Sequence, residues 1–455
     1  MKKIISFILA TIMLLGMFSI GTFAETPLAL DIQAVEGASV RIGTVAGIRF
    51  QTKINRAQLK AIVDENGEAN VEIGTLIAPT QYVQGAGGFT MEKLDKYKAT
   101  YRLSNDAYVK VVATYGSPFK TDGDYDIYAG SLENILDKNV TLAFSGIGYV
   151  KVGDEVVYAE YNEFNSSRTV GYVAYRAYLD KDSGLDSDDK TLIDDFANKF
   201  LVTKLGEGAP KISTIRYFET FDDKAACEYK NATSLLKCGE KDYWQAANYK
   251  MNTAKTRSDI EAKYTEDGTL RFKAPDNGVA YVKGNGESVI NSSAFLKIPN
   301  LTEVMYAKGE THLVMQFDLK ILNAGSSDFG MGVAYCADDD INFARAIPIL
   351  KSNYKMLIYL NDKTAGNMVY TGGWAKSLGC DFSANTVNVR FEWTLGDPAG
   401  EIYIKGNELT DYGSWGSGNK YAVEECNLGL YFLGSGEYEI DNLLVYSYGD
   451  GGYLQ

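Results

Sequence analysis

The chemistry open to this chain is limited first by its histidines, because His312 is the only one among 455 residues. A single histidine excludes Ser-His-Asp and Cys-His arrangements and metal sites built from several histidines. His312 falls in the polar register of a strand pattern. It is therefore either a functional group, as a general base or ligand contact, or a solvated side chain on a strand face.

Carboxylates are the next candidates, because glycoside hydrolysis needs two of them, one as acid and one as nucleophile or base. The nearest arrangement is Glu437-x-Glu439-x-Asp441, whose members would share one face of a strand. A solvent-facing acidic row explains this triplet more simply than catalysis does. The sequence therefore leaves enzymatic activity open and favours a protein without catalytic residues.

Sugar binding needs flat aromatic faces and planar polar groups. Trp374 and Trp415 lie in Gly-rich segments outside any strand register, and Tyr412 lies close to Trp415. Aromatic rings in such loops commonly contact ligands, and the alternative is that they close over the rim of the domain as hydrophobic lids. With His312 and Arg390 on off-core strand positions, these residues form the predicted ligand-binding set.

The elements that would position these residues are strands. Alternating apolar and polar side chains over residues 311–322 and 387–395 predict strands with one buried face. Further short strands are predicted at residues 270–274, 330–336, 356–360, 428–433 and 438–446. Many short strands joined by Gly-rich turns, with no helical pattern between them, are typical of a sandwich or barrel. Residues 214–448 are therefore predicted to form an all-β domain.

The N-terminal half mixes strand patterns with amphipathic helices, which predicts an α+β domain over residues 25–205. Helices are expected after Asn55, from Ser166 and near Asp186. Gly and Pro then punctuate the chain, so residues 206–213 are predicted to be a linker between two domains.

Residues 1–24 have the pattern of a signal peptide: a basic start, an apolar run and small residues before a cut after Ala24. A retained anchor is the alternative, but the small-residue site follows the apolar run at once. No later stretch is apolar enough to predict membrane insertion. A net charge of −14 argues against nucleic acid as a partner. We therefore expect a secreted protein, extracellular or associated with the cell surface.

Three motifs carry a resemblance to a known family: RYFETFDD at the start of the second domain, RFEWTLGDPAGEIYIKGNEL in its middle and YEIDNLLVYSY at its end. Together they resemble the concanavalin A-like lectin and glucanase superfamily, with its laminin-G-like and jelly-roll carbohydrate-binding modules. The resemblance covers residues of about 214–448 and implies a jelly-roll sandwich. The Glu-x-Asp-x-Glu strand of the superfamily's glucanases is absent.

The N-terminal motifs GIRFQTKI, IGTLIAPTQY and SSRTVGYVAYRAYL resemble an uncharacterised module of secreted surface proteins of Gram-positive bacteria. That resemblance covers residues of about 38–180. It implies an extracellular scaffold or accessory role and no particular activity.

The jelly-roll resemblance implies a structural Ca²⁺ held by Glu219 near the first strand and Asp441 in the closing Ile-Asp-Asn motif. The alternative is that Glu219 is exposed and that Asp441 caps a turn. The function that follows is a non-catalytic, lectin-like protein that binds extracellular polysaccharide or a cell-surface glycan. The alternatives are a glycoside hydrolase or polysaccharide lyase on the same fold, or a cell-surface adhesion or scaffold protein.

Overall fold

The structure is a computed structural model that describes residues 28–449 except for a set of internal segments. Those segments are residues 44, 181–182, 223, 237–244, 248–259, 275–279, 283–287, 291–292, 299–308, 325–329, 338–344, 351–354, 357–358, 363–366, 370–375, 378–379, 395–399, 405–406, 409–426 and 434. The predicted signal peptide, residues 1–24, lies outside the described residues.

Contacts divide the chain into two compact units, residues 1–173 and 174–455. The division falls earlier in the chain than the predicted linker at residues 206–213. The reason is an aromatic cluster, in which the Tyr175 ring stacks on Phe200 at 4.9 Å and also contacts Phe218. The helix that contains Phe200 was expected in the first domain, and it belongs to the second unit.

The first unit combines strands and helices. Its strands are β1 (Ile32–Ala34), β2 (Ser39–Arg41), β3 (Gly47–Asn55), β4 (Val71–Pro79), β5 (Val109–Ala113), β6 (Lys120–Asp122), β7 (Tyr125–Glu133), β8 (Ala143–Val152), β9 (Glu155–Tyr158) and β10 (Ser167–Thr169). Its helices are α1 (Arg56–Asn66), α2 (Thr80–Ala86), α3 (Met91–Tyr101) and α4 (Glu163–Ser166), and α5 (Val170–Leu179) crosses the division. Short 3₁₀ turns lie at Glu68–Asn70 and Asp137–Asn139.

These strands form two antiparallel sheets, one in the order β1-β3-β7-β6 with β2 on β3, the other in the order β10-β8-β4-β5 with β9 on β8. The two sheets approach closely at Gly146, which has no side chain. A Cβ atom at this position would overlap the ring of Phe50 on the other sheet. The second sheet also packs against helices, since Leu76 shares a buried cluster with Val83 of α2 and Leu94 of α3.

Local signals in the sequence identified some of these helices and missed others. Helix α1 begins after Asn55, as predicted, and the Asn55 side chain accepts a hydrogen bond from the backbone N–H of Gln58. Helix α3 was not predicted. Leu94 is its only buried residue, so the apolar periodicity that would reveal it is nearly absent.

The second unit is built mainly from strands. They are β11 (Ile215–Glu219), β12 (Lys230–Asn231), β13 (Gln245–Ala247), β14 (Glu261–Tyr264), β15 (Leu270–Ala274), β16 (Ala280–Val282), β17 (Ser288–Ile290), β18 (Ser293–Ile298), β19 (His312–Ala324), β20 (Gly330–Ala337), β21 (Arg345–Leu350), β22 (Lys355–Met356), β23 (Tyr359–Asp362), β24 (Asn367–Val369), β25 (Lys376–Ser377), β26 (Val387–Thr394), β27 (Gly400–Ile404), β28 (Asn407–Glu408), β29 (Asn427–Leu433) and β30 (Gly436–Tyr448). Helices α6 (Ser187–Leu205) and α7 (Ala232–Leu235) and a 3₁₀ turn at Ile212–Thr214 complete its described elements.

Two antiparallel sheets of this unit enclose one apolar core. The front sheet has the order β12-β14-β15-β30-β19-β26-β27-β28, with β11 on β30, and the back sheet has the order β13-β18-β29-β20-β21-β22-β25, with β23 on β21 and β24 on β23. Phe272 of the front sheet meets Phe432 of the back sheet edge to face, with ring centroids 5.0 Å apart. Both belong to a single buried cluster with Phe317 and Val333. The described strands therefore form a β-sandwich, which confirms that part of the fold prediction.

We expect Phe272→Ala to lower the free energy of unfolding of the second unit by about 3–5 kcal/mol, because it leaves a cavity between the two sheets. The neighbouring Lys273 points to the opposite face and is exposed. Lys273→Ala should change the same quantity by no more than about 0.5 kcal/mol. Chemical denaturation followed by fluorescence measures both variants. Equal effects at the two positions would contradict the two-sheet core.

Candidate functional site

The candidate site is the outer face of the front sheet, the face that does not pack on the back sheet. Along β19, Leu313, Met315 and Phe317 are fully buried in the core. Side chains alternate along a strand, so His312 and Gln316 lie on the other face. The register of the ladder sets further neighbours on that face, because Gln316 is opposite Arg390 of β26, and His312 is opposite Tyr448 of β30.

His312 has an aromatic partner at this face. Its ring stacks on Tyr448 with centroids 4.6 Å apart and an angle of 6° between the planes. The Nδ1 atom of His312 lies 3.0 Å from the hydroxyl of Thr311. Tyr446, two residues before Tyr448, contributes a second tyrosine ring, whose centroid lies 6.4 Å from that of Tyr448. This end of the face therefore carries a row of aromatic rings.

Glu392 joins this aromatic row to Arg390. Its carboxylate is almost fully buried, with 4% exposure, and accepts a hydrogen bond from the Tyr448 hydroxyl. Its other oxygen accepts from the guanidinium of Arg390. That guanidinium also lies over the ring of Tyr403, 4.5 Å from the centroid. We call His312, Tyr448, Glu392, Arg390 and Tyr403 the Glu392 network.

A second polar group lies on the same sheet at Asp318. The two Asp318 oxygens accept hydrogen bonds at 2.9 Å from the side-chain amides of Asn388 and Asn442. Asn442 has a left-handed backbone (φ 49°), and the pairing of β19 with β30 shifts register at this point. The resulting β-bulge brings Asp441 and Asn442 together opposite Asp318.

Asp441 holds its proton more tightly than an ordinary aspartate. The pKa of the carboxyl is raised to about 6, chiefly by burial; the hydrogen bond from the backbone N–H of Asn442 opposes this rise, and the negative charges of Asp222 and Asp318 add to it. The Asn442 N–H donates to Asp441 Oδ1 at 2.7 Å. The carboxyl is therefore partly protonated in mildly acidic solution.

The residues around Glu219 fit a calcium ion poorly. Glu219 is 6% exposed, and its carboxylate is paired with Arg176 at 3.1 Å and Lys224 at 3.4 Å. It also accepts from the backbone N–H of Phe221. Within the described part of the chain, no group of three or more His, Cys, Asp or Glu side chains is placed to hold a metal ion. The Ca²⁺ site of Glu219 and Asp441 stays a prediction.

The acidic triplet of β30 has separate partners for its first two members. Glu437 accepts a hydrogen bond from the hydroxyl of Tyr229, and burial together with this carboxylate raises the pKa of that tyrosine. Glu439 forms a two-donor ion pair with Arg271 at 2.6 and 3.0 Å. Glu437 and Glu439 are therefore carboxylates with partners of their own in the sheet.

The structure locates two of the five predicted ligand-binding residues. It brings His312 and Arg390 into one network through Tyr448 and Glu392. Their role in binding stays a prediction. The other three, Trp374, Tyr412 and Trp415, lie outside the described residues.

The predicted ligand set did not include Tyr448 and Glu392, which link the network. The alternation of the YSY sequence at the end of β30 was the available signal, since it places Tyr446 and Tyr448 on one face. No local sequence pattern indicated that Glu392 is buried, because its tyrosine partner is 56 positions away in the chain.

No family model matches the sequence, and no curated protein matches it. Among solved structures, the chain is similar to a carbohydrate-binding module from Bacillus subtilis, at 9% identity and a TM-score of 0.26, over 39% of this chain and 95% of that one. It is similar to an alginate lyase at 14% identity and a TM-score of 0.30, over 51% of this chain and 97% of that one. It is also similar to the catalytic domain of an endo-1,3-β-glucanase from Thermotoga petrophila, at 12% identity and a TM-score of 0.29, over 52% of this chain and 98% of that one. At these identities and TM-scores, we base the fold and the function on the contacts within this chain.

The helices in the described ranges include none that combines the length and the apolar character needed to cross a bilayer.

We expect the raised pKa of Asp441 to make stability depend on pH. Between about pH 4, the ordinary aspartate range, and about pH 6, the folded state keeps a proton that the unfolded state has lost. The free energy of unfolding contributed by this group therefore falls as pH rises through that window and is constant above it. Asp441→Asn cannot ionise and should remove this fall.

Urea denaturation of both proteins at pH 4 to 7, with a chelator present, measures the difference. The control is Asp267→Asn, an exposed aspartate between β14 and β15, which retains Asp441 and its charged neighbours. Parallel pH profiles for the wild type and Asp441→Asn would contradict the assignment.

Proposed function

We propose that the protein is a secreted, non-catalytic, lectin-like protein of jelly-roll type that binds extracellular polysaccharide on the outer face of the front sheet. Aromatic rings from Trp374, Tyr412 and Trp415 would stack on the sugar. His312 and Arg390 would contact its hydroxyl groups. The Glu392 network carries this proposal, because it joins two independently predicted residues on one face.

The network has the mixed character that sugar recognition requires. His312 contributes aromatic surface backed by the buried ring of Tyr448, and Arg390 contributes a planar donor held in place by Glu392. Stacking of the guanidinium on Tyr403 restricts it further. A donor that is already oriented loses less conformational entropy when a ligand binds.

The partners of Glu392 support a role other than catalysis. A catalytic carboxylate must reach a substrate, either with a proton to give or with a free oxygen. Glu392 is almost fully buried, and both oxygens accept from protein donors. Its arrangement is that of a structural carboxylate that orients Tyr448 and Arg390.

We expect the mature chain to be retarded in affinity electrophoresis by at least one member of a panel of glucans, xylans, mannans and pectins. Trp374→Ala and Trp415→Ala should each weaken the affinity about tenfold, because each removes one stacking ring. The matched control is Tyr101→Ala. Tyr101 is an aromatic residue of the first unit with 63% exposure, and it has no part in the proposed site.

If the folded protein migrates unretarded through every gel of the panel, the binding proposal fails, and the adhesion or scaffold alternative takes its place. An equal loss of affinity in the Tyr101 control would instead move the binding site to the first unit.

A polysaccharide lyase is the second candidate, and one observation favours it: a tyrosine hydroxyl and an arginine meet at one carboxylate, beside a histidine. These are groups that proton abstraction and charge stabilisation would need. Under our proposal, no reducing ends or unsaturated products are released from the panel. Product release that is lost in Tyr448→Phe, with binding retained, would replace the proposal by the lyase.

Export and the calcium ion are also part of this proposal. We expect the protein recovered from the medium to begin at Glu25, which N-terminal sequencing checks, because the signal-peptide pattern ends at Ala24. A start at Met1 would contradict cleavage. Calcium would have to displace Arg176 and Lys224 from Glu219. If it does, Tm should rise on adding CaCl₂, and Asp441→Asn should abolish the rise. The same Tm with and without the ion would remove calcium from the proposal.

A further inference from the structure

We propose that the binding face selects an uncharged polysaccharide and that Glu392 is the residue that sets this preference. This inference rests on the proposed function. The observation behind it is that the arginine on which an acidic sugar would depend is already paired with a buried carboxylate.

Recognition of a uronate or sulfate group normally uses a guanidinium fork or an ammonium that can pair with it. Arg390 pairs with Glu392 through its Nη2 atom, and the centre of its guanidinium lies over the ring of Tyr403. An incoming carboxylate would meet a neutral ion pair whose negative member is buried. Displacing Glu392 would leave that charge unpaired in the protein, which is costly.

The carboxylates next to the Glu392 network also disfavour a polyanion, whereas the exposed Lys273 of the same face lies on β15, two strands away from β19. Asp318 and Asp441 lie on the same face of the sheet, and the donors around Asp318 are the neutral amides of Asn388 and Asn442. Charges of one sign repel a ligand of the same sign over a distance of about 10 Å at moderate salt.

Sugar hydroxyl groups suit this face better than anions do. A hydroxyl donates to a carboxylate oxygen and accepts from an amide or guanidinium N–H. The Asp318 carboxylate and the Arg390 guanidinium place both kinds of partner within one sheet. Neutral hexose or pentose chains therefore fit the charge of the face.

The test compares neutral and acidic glycans on the mature full-length chain. Affinity electrophoresis at low salt would use glucan, xylan and mannan gels beside polygalacturonate and alginate gels. We expect the best neutral glycan to bind at least about tenfold more tightly than either polyuronate. Tighter binding of a polyuronate would overturn this inference and leave the proposed function standing. Absence of retardation in all gels, with the protein folded, would overturn both.

The role of Glu392 is tested with Glu392→Gln, which keeps the shape and removes the charge. Release of Arg390 should raise the affinity for polygalacturonate, relative to the neutral glycan, by about tenfold, and the gain should disappear at high salt. Glu439→Gln is the matched control, because it frees Arg271 in the same sheet outside the Glu392 network. In Glu439→Gln, the affinity for polygalacturonate relative to the neutral glycan should equal that of the wild type.

An unchanged preference in folded Glu392→Gln, or an equal gain in the control, would overturn the role of Glu392. Thermal unfolding establishes that each variant is folded. The comparison of glycans on the wild-type chain needs no variant, so the preference itself remains testable if Glu392→Gln fails to fold.

Discussion

The site depends on one constraint, the register of β19 between its two neighbours. β19 pairs antiparallel with β26 on one side and with β30 on the other. Leu313 and Met315 face the core, so His312 and Gln316 are held on the outer face. A slip of one residue would exchange the two faces and bury the polar side chains. Core packing therefore fixes the positions of side chains that take no part in the core.

The Glu392 network adds a second constraint, because a buried carboxylate must be hydrogen-bonded or paired. Glu392 meets this requirement through Tyr448 and Arg390, so removing either partner would leave a buried charge incompletely satisfied. The network thus stabilises the sheet and at the same time orients an arginine and a tyrosine. A rigid polar face of this kind favours binding without rearrangement, which is consistent with the proposed recognition of a sugar.

The sequence predicts this architecture where local patterns suffice. Alternation identified β19 and β26, and Asn55 identified the start of α1. Local patterns do not specify which strands become neighbours. The contact of Tyr448 with Glu392 depends on β30 and β26 both lying beside β19, and no spacing in the sequence encodes that order. Local patterns do not specify the division near Val173 either, since the packing of Tyr175 on distant rings is tertiary.

The bulge at Asn442 is the clearest case of tertiary structure changing a sequence pattern. Before it, Tyr438 and Ile440 face the core, and after it Leu443 does, so the two-residue rhythm breaks within one strand. Asparagine tolerates the left-handed backbone that this break requires. The break puts the amide of Asn442 on Asp318 and places Leu444 and Tyr448 on the outer face. A regular strand would have sent the closing tyrosine into the core, so the aromatic partner of His312 exists because β30 is irregular.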